Sequence, residues 1–181
     1  MNRKSFENQP PSKTGGLEGF SVSLATGPDD PRASAAGQAI LHFFHEKTEG
    51  KRIAIRADFT PRDLQRYLPK IALVDLVYDD ADEVVDGILR VSGSALDELF
   101  GPSTGMSVMD HPSGVGLRCI ETAKLAIEGK AAVLADAKEV HPSKPFWASR
   151  SVNIPLADEA GKITQLLIHI SVESKTGVPQ G

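Results

Sequence analysis

Two ionisable side chains stand in predicted strands, Asp75 in an otherwise apolar one and His169 on the more polar face of the last one. Asp75 is the one charge in the run from Ile71 to Tyr78, and His169 lies within the segment 162–174. A carboxylate and an imidazole can act as general acid and base when both reach one proton path, so the pair allows a reading as a small enzyme on an α+β cup. The spacing of Asp75 and His169 in the sequence does not support the enzyme reading. Because an unpaired buried carboxylate is costly, we expect Asp75 to bind a backbone N–H, water, or one of Arg56, Arg90 and Arg150.

Metal and nucleophile chemistry lack a supporting motif. His42 and His45 lie three residues apart, but no third ligand is evident nearby, so no metal site is predicted. Cys119 is the single cysteine, which excludes an internal disulfide, and we expect it to be a small buried hydrophobe. His-Glu-x-x-His, Cys-x-x-Cys and a Gly-rich phosphate loop are all missing from the sequence. No catalytic residue is therefore predicted.

The composition is that of an ordinary globular domain. The 181 residues fit one domain with a tail, and the net charge of −4 gives no basic footprint for nucleic acid. Residues 1–20 lack the apolar core of a secretory signal, and no apolar run approaches the ~20 residues that span a bilayer. We expect a cytoplasmic protein without a nucleic-acid or membrane partner. The sequence leaves open whether one basic cluster is an interface or a solvated face: Lys51, Arg52, Arg56, Arg62 and Arg66.

The N-terminal part predicts a tail and then one helix. Residues 1–30 are rich in Pro, Gly, Ser and Lys and are expected to be flexible, although the alternation from Phe20 to Leu24 would suit a short strand. Asp30-Pro31 opens a flanking helix within residues 31–49. Its apolar side chains either pack on the domain's own sheet or form a dimer contact, and the candidates are Ile40, Phe43 and Phe44.

The middle of the chain predicts a short helix followed by a hairpin. Thr60 can cap a helix that carries Pro61 in its first turn and ends before Pro69. Two strands follow, Ile71 to Tyr78 and Val84 to Val91, and they are antiparallel because their acidic connection is too short for a crossover. Gly87 in the second strand is expected to mark a bulge.

The last part predicts two helices and three strands. A helix from Ala95 to Phe100 stops at Gly101-Pro102, and a longer helix with one apolar face runs from Leu117 to Glu128. Three strands are predicted at 131–140, 146–156 and 162–174. In the final strand, even-numbered and odd-numbered residues face opposite sides of the sheet.

Two hairpins that flank a helical segment pack most simply as one antiparallel sheet. This order of two strands, a helical belt and three strands resembles a bacterial family of PAS domains whose members are often free-standing. The resemblance covers roughly residues 35–174 and lies in the order and spacing of short motifs. These are Arg56-x-Asp58-Phe59-Thr60-Pro61, Leu68-Pro69, Ala72-Leu73-Val74-Asp75, Leu89-Arg90-Val91-Ser92-Gly93-Ser94, Leu99-Phe100-Gly101, Thr104-Gly105 and Asn153-Ile154-Pro155-Leu156-Ala157-Asp158.

The resemblance implies an α+β fold, namely a PAS-like five-stranded antiparallel sheet with helices on one face and an N-terminal flanking helix. The PAS-like domain would span 50–174, and 175–181 would be a flexible tail. In PAS folds a small ligand sits between the inner sheet face and the helical belt, and alternation alone leaves open which strand faces line that pocket. The pocket candidates are Leu73, Asp75, Arg90, Trp147, Ser149 and His169.

Neither haem nor a photoactive flavin is supported by a motif. Haem-binding PAS domains usually take their axial histidine from the long helix or near it, and the predicted helix 117–128 contains none. Photoactive flavin domains use a cysteine in an Asn-Cys-Arg-type motif, which Leu117-Arg118-Cys119-Ile120 does not match. The second strand also departs from the family at Asp86-Gly87, so the cofactor and ligand stay unknown.

Three functional readings follow. The preferred one is a stand-alone cytoplasmic PAS-like sensory or regulatory domain, a homodimer that binds a small ligand, a signalling protein partner or both, and whose flanking helix moves. The second is a ligand-free protein-interaction module with its pocket packed shut by Phe100, Trp147 and the helix from Leu117. The third is the acid–base enzyme formed by Asp75 and His169, and we do not predict enzymatic activity.

Overall fold

The computed structural model describes residues 17–111, 114–141 and 144–176. The helices are α1 (Ala35–Thr48), α2 (Ser94–Phe100) and α3 (Val115–Gly129), and two short 3-10 helices occupy Arg56–Asp58 and Leu68–Lys70. The strands are β1 (Phe20–Leu24), β2 (Ala54–Ile55), β3 (Ile71–Tyr78), β4 (Val84–Ser92), β5 (Val133–Ala137), β6 (Trp147–Ala157) and β7 (Ile163–Ser174). No helix in these three ranges is long and apolar enough to cross a membrane.

All the strands belong to one sheet. Its order is β1-β5-β6-β7-β3-β4, with antiparallel neighbours, and the short β2 pairs with β6 in parallel. The chain forms β3 and β4, then α2 and α3, then β5 to β7. The predicted α+β class and PAS-like order are therefore confirmed. All five predicted strands are present, and β1 and β2 bring the sheet to seven strands instead of five.

Each face of the sheet packs against a helix. On one face, Phe44 of α1 belongs to a core that includes Val152 of β6 and Leu167 of β7. On the other face, Ala123 of α3 belongs to a second core that includes Leu166 of β7. The two leucines are neighbours in sequence and enter different cores because strand side chains alternate between faces. Helix α1 is thus a flanking helix on the face opposite α3.

Residues 17–30 join the fold, in contrast to the predicted flexible tail. Strand β1 pairs with β5 along its whole length, from Phe20 opposite Ala137 to Leu24 opposite Val133. The loop that follows closes around the buried carboxylate of Asp30. The alternation in β1 therefore does specify a strand, because an edge position beside β5 partly buries Phe20 and Val22. Residues 1–16 lie outside the described part of the chain.

Helix α1 begins at Ala35 and not at Pro31, because a different residue caps it. Ser34 is the N-cap, and its Oγ accepts a hydrogen bond from the N–H of Gly37 at 3.1 Å. The carboxylate of Asp30, the predicted cap, is instead occupied by hydrogen bonds within its own loop. The helix ends where Glu49 adopts a left-handed conformation with φ of 53°.

The predicted helix from Thr60 to Leu68 does not form. Residues 61–67 are turns, and only Leu68–Lys70 is helical, as a 3-10 turn. The N–H and hydroxyl of Thr60 both donate to the carboxylate of Asp63, at 2.7 and 2.8 Å. The Thr60 hydroxyl hydrogen is thereby used locally, and a stretch this short between two prolines does not offset the cost of helix nucleation.

Gly87 does not mark a bulge, contrary to the prediction. It pairs regularly with Leu76, and the register shifts lie on either side, between Leu73 and Val74 and between Val77 and Tyr78. A Cβ at Gly87 would lie 2.5 Å from Cγ1 of Val74. The glycine is therefore explained by close packing against the neighbouring strand.

Candidate ligand-binding site

A cavity of about 130 Å³ lies between the sheet and the helices on the α3 face. Its floor comes from the strands β3 to β7, its wall from α3, and its remaining sides from α2, β1 and the cover segment, which we define as residues 101–111. Most of the lining is apolar, and a smaller number of polar side chains project into it. This combination is typical of small-molecule sites.

The polar part of the floor is a stripe on β6. Ser149, Ser151 and Asn153 alternate along the strand, and all three line the cavity. The Nδ2 of Asn153 donates hydrogen bonds to the carbonyl of Val133 at 3.1 Å and to Oγ of Ser151 at 3.0 Å. No described residue donates to Oδ1 of Asn153. This oxygen is thus available as an acceptor at the cavity.

Helix α3 contributes a wall that is mostly apolar. Thr122 lines the cavity, but its hydroxyl donates to the carbonyl of Arg118 at 2.8 Å, one turn earlier. Cys119 also lines it, and burial raises the pKa of its thiol to about 12. A thiol with this pKa is almost entirely protonated near neutral pH, so Cys119 acts here as a small apolar wall residue.

Arg118 is the one residue with a permanent charge among the described residues that line the cavity. Its Nη1 donates to the carbonyl of Glu139 at 2.8 Å, and its guanidinium carbon lies 5.7 Å from the centroid of the Phe20 ring. Burial lowers the pKa of Arg118, and the charge of Glu139 opposes that shift. The guanidinium is thus already bound to the protein at one side of the cavity.

The cover segment is attached to the edge of the sheet. The N–H of Leu89 donates to the carbonyl of Met106 at 3.0 Å, and the N–H of Val108 donates to the carbonyl of Gly87 at 2.8 Å. Ser107 donates its hydroxyl to Oδ2 of Asp86 at 2.6 Å. Strand β4, an edge strand, thereby uses part of its free edge to hold the cover over the cavity.

A buried histidine lies in the cover segment. His111 and Ser103 are 8% and 3% exposed, and Nε2 of His111 lies 3.0 Å from Oγ of Ser103. The Phe100 ring packs edge-on against the imidazole, with centroids 6.2 Å apart. Burial lowers the pKa of His111, with a smaller contribution from His141. His111 therefore favours its neutral form at the cavity.

One of the six predicted pocket residues lines this cavity. Ser149 does, whereas the other five do not: Leu73, Asp75, Arg90, Trp147 and His169. Leu73 packs in the core on the α1 face. The sequence does not determine which face of the central strands lines the cavity, because both faces are largely apolar. The predicted pocket residues therefore came from both faces.

Asp75 is paired, as predicted. Its carboxylate forms an ion pair with the guanidinium of Arg90 and accepts a hydrogen bond from Nε2 of Gln165 at 2.6 Å. The register places Asp75 opposite Gln165, whereas His169 lies opposite Ile71. The carboxylate and the imidazole are therefore at separate positions along the sheet, and the structure does not bring them together as an acid–base pair.

His169 is buried on the α1 face. It is 1% exposed, its Nδ1 has no hydrogen-bond partner, and its ring packs edge-on against Tyr67 with centroids 5.9 Å apart. Burial lowers the pKa of His169 to about 4, assisted by the charge of Lys70. The residue is thus a neutral core histidine near neutral pH.

The other chemical candidates are engaged in local contacts. His42 binds the carboxylate of Asp29 at 2.6 Å. Within the described ranges, no three His, Cys, Asp or Glu side chains group as metal ligands. In the basic cluster, Arg52 binds both carboxylate oxygens of Asp58 at 2.7 Å, and Arg56 stacks 4.5 Å from the Phe59 ring centroid. Two members of that cluster thus have roles inside the fold.

The predicted dimer-contact residues lie mainly in the core. Ile40 and Phe44 are 0% and 4% exposed and pack on the chain's own sheet. Phe43 is half-buried, with its ring edge-on to Phe44 and the Lys47 ammonium 5.4 Å from its centroid. Packing on the domain's own sheet, one of the two alternatives, therefore accounts for Ile40 and Phe44.

Several cavity residues were not predicted from the sequence, including Ser151, Asn153 and Thr122. A periodic signal existed, because Ser149, Ser151 and Asn153 repeat at every second position. The apolar residues between and after them, however, gave no indication of which side faced a cavity. No sequence pattern identified Thr122 as a cavity residue, because it lies among both polar and apolar residues on a helix.

Comparisons with known proteins give structural matches only. No protein-family model matches the chain, and no curated protein matches it. Among solved structures, an RNA-binding light-oxygen-voltage receptor aligns at 15% identity with a TM-score of 0.41, covering 67% of this chain and 35% of that one. A VqmA dimer from Vibrio cholerae aligns at 18% identity with a TM-score of 0.43, covering 67% of this chain and 55% of that one.

A third match is an isolated domain. It is the PAS domain of a protein from Colwellia psychrerythraea, at 15% identity with a TM-score of 0.41, covering 63% of this chain and 97% of that one. The chain thus spans about a third of the light-oxygen-voltage receptor and about half of VqmA. The PAS-like description of this protein rests on its own element order and sheet.

Proposed function

We propose that this chain is a PAS-like sensory or regulatory domain that binds a small molecule in the cavity between β6 and α3. The observation that carries the proposal is the cavity itself, which has an apolar lining and a polar stripe on its floor. A core packed shut, as a ligand-free module would have, leaves few voids larger than a water molecule. We expect the domain to act in the cytoplasm.

The structure offers a physical connection from this cavity to α1. Ser151 and Asn153 line the cavity, and Val152 between them points to the opposite face, where it packs beneath α1. A Cβ at Gly37 would lie 2.7 Å from Cγ2 of Val152, so helix and strand are in close contact. The hydroxyls of Ser34 and Ser171 also join the start of α1 to β7 at 2.8 Å. A ligand that shifts β6 would therefore change the packing of α1, provided that it binds two states with different affinity.

Native mass spectrometry of the freshly purified protein, beside a denatured sample, tests the proposal. We expect an added mass that is lost on denaturation in the wild type. The Ser149→Phe variant, whose new ring would fill the cavity, should lose this mass. The Ala148→Phe variant carries the same ring at the adjacent position on the other side of β6 and should keep it. A mass retained equally by both variants, or no retained mass in the wild type, contradicts the proposal.

A second function, protein interaction, is favoured by exposed apolar side chains on the β3–β4 hairpin. Val77, Val85 and Val91 are 37%, 45% and 44% exposed, and α1 packs over β6 and β7, beyond this hairpin. We propose that a homodimer or a signalling partner uses either this hairpin or the Phe43 side of α1.

Two lysine substitutions distinguish these surfaces. Val91→Lys should lower the dimer fraction, measured by light scattering after gel filtration, if the hairpin is the contact. Phe43→Lys should lower it instead if the contact is α1. Because α1 supplies core residues such as Ile40, single substitutions are preferable to removal of the helix. A monomeric wild type, or no effect of either variant, contradicts dimerisation through these surfaces.

A further inference from the structure

From the charges and the size of the cavity we infer the class of its ligand: a neutral, compact molecule with an apolar body and a hydrogen-bond donor directed at Asn153. This inference rests on the proposed function and narrows it. It depends on three properties of the site, namely the charge of its lining, its volume and its unused hydrogen-bonding groups.

The charge of the lining disfavours an ionic ligand. No Asp, Glu or Lys is found among the described residues that line the cavity, so a cation would be buried without a counter-charge, which is costly. An anion would have to pair with Arg118, but that guanidinium already donates to the carbonyl of Glu139 and lies beside the Phe20 ring. An anion at Arg118 would have to share the guanidinium with these contacts.

The volume limits the ligand's size. The cavity measures about 130 Å³, and an engineered apolar cavity of about 150 Å³ in another protein holds benzene. Drug-sized ligands need cavities of about 300 Å³ or more. The cavity therefore accommodates one ring with a small substituent, and it is too small for a flavin nucleotide.

The free hydrogen-bonding groups set the polarity of the ligand. Oδ1 of Asn153 accepts no hydrogen bond from a described residue, whereas Nδ2 of the same side chain is used twice. A ligand that donates to this oxygen would satisfy the acceptor, while its apolar body lies against Ile168 of β7 and Val115 of α3. The hydroxyl of Ser149, which has no protein partner in the described ranges, can add a second polar contact.

Calorimetric titration with small probes tests this class. The probes are phenol, which is neutral with one donor; anisole, which lacks the donor; benzoate; benzylamine; and flavin mononucleotide. We expect phenol to bind about fivefold more tightly than anisole, as one net hydrogen bond predicts, and at least tenfold more tightly than the two charged probes. Phenol binding should be lost in Ser149→Phe and kept in Ala148→Phe.

The results distinguish an error in the ligand class from an error in the proposed function of the cavity. If benzoate, benzylamine or flavin mononucleotide binds in a Ser149→Phe-sensitive way and phenol does not, the ligand class is wrong and the cavity function stands. If anisole equals phenol, the donor to Asn153 is wrong. If no probe binds the wild type, and native mass spectrometry also finds no retained mass, both the class and the proposed function fail. Should Ser149→Phe not fold, Ala137→Leu provides a second cavity-filling variant.

Discussion

At the residue scale, Cys119 shows how burial decides chemistry. The thiol lies at the cavity wall with its pKa raised to about 12. We predict that iodoacetamide at pH 8 alkylates it about a thousandfold more slowly than free cysteine, because the thiolate fraction falls by roughly that factor. Mass spectrometry of timed samples measures the rate. In urea the rate should reach the free-cysteine value, whereas a fast reaction of the folded protein contradicts the burial of the thiol.

His169 should make stability depend on pH. Its folded pKa of about 4 lies below the ordinary value of 6.5, so between these values the unfolded chain binds a proton that the folded chain does not. The free energy of unfolding therefore falls as the pH is lowered from about 6.5 to 4, by about 2–3 kcal/mol from this residue.

The His169→Leu variant tests this contribution by urea unfolding across that pH range. In the variant, the free energy of unfolding should fall much less steeply than in the wild type as the pH is lowered below 6.5. His111 and His141, whose pKa values are also lowered by burial, should leave a residual slope of the same sign in both proteins. Above pH 7 the two profiles should run parallel. An unchanged slope in the variant would show that His169 is not buried in its neutral form.

At the element scale, the connection from β1 to α1 depends on one carboxylate. Asp30 is 2% exposed and accepts hydrogen bonds from the N–H of Thr26 at 2.9 Å and from Nε of Arg32 at 2.9 Å. Its hydrogen bond with Arg32 is the main cause of its lowered pKa. We predict that Asp30→Asn lowers the free energy of unfolding by about 2–4 kcal/mol, because charged hydrogen bonds are lost in a buried site.

The adjacent aspartate gives a matched control. The side chain of Asp29 is 87% exposed and pairs with the half-exposed His42, so Asp29→Asn should change stability by no more than about 0.5 kcal/mol. Urea unfolding of both variants measures the difference. Equal effects would show that the Asp30 network does not hold the β1–α1 connection.

Two glycines test the packing of the β3–β4 hairpin. A Cβ at Gly87 would meet Cγ1 of Val74 at 2.5 Å, whereas a Cβ at Gly93 would clash with the carbonyl oxygen of Leu68. Gly87→Ala should destabilise the fold by about 1–3 kcal/mol, and adding Val74→Ala should relieve part of that cost. Gly93→Ala clashes with backbone and should not be relieved by a side-chain truncation. A double-mutant cycle measures the coupling between positions 74 and 87, and zero coupling contradicts this packing.

At the scale of the whole molecule, apolar runs and periodicity in the sequence predicted the central strands and the long helix well. The strand Ile71–Tyr78 follows from a nearly unbroken apolar run, and the alternating faces of β7 follow from a period-two pattern, which depends only on local geometry. The helix after Thr60 failed although Asp63 accepts from the Thr60 N–H as in a helix start, because the stretch between Pro61 and Pro69 is too short to offset the cost of helix nucleation.

The site was less predictable than the fold. Which face of β6 lines a cavity depends on where α1 and α3 dock, and that choice is made by contacts between elements distant in sequence. Val152 and Asn153 are both buried, one beneath α1 and one at the cavity. Composition alone does not distinguish such neighbours, so Ser149 was identified while Asn153 was not.

We propose that the space between Asn153 and α3 receives a small neutral ligand. The most direct measurement is a crystal structure of the full chain soaked with 4-bromophenol, with the bromine located by its anomalous signal. We predict one peak within the cavity lined by Thr122 and Ser149, with the phenol oxygen within hydrogen-bond distance of Oδ1 of Asn153. A bromine bound only outside this cavity, or a cavity that stays empty in well-occupied soaks, would contradict the account.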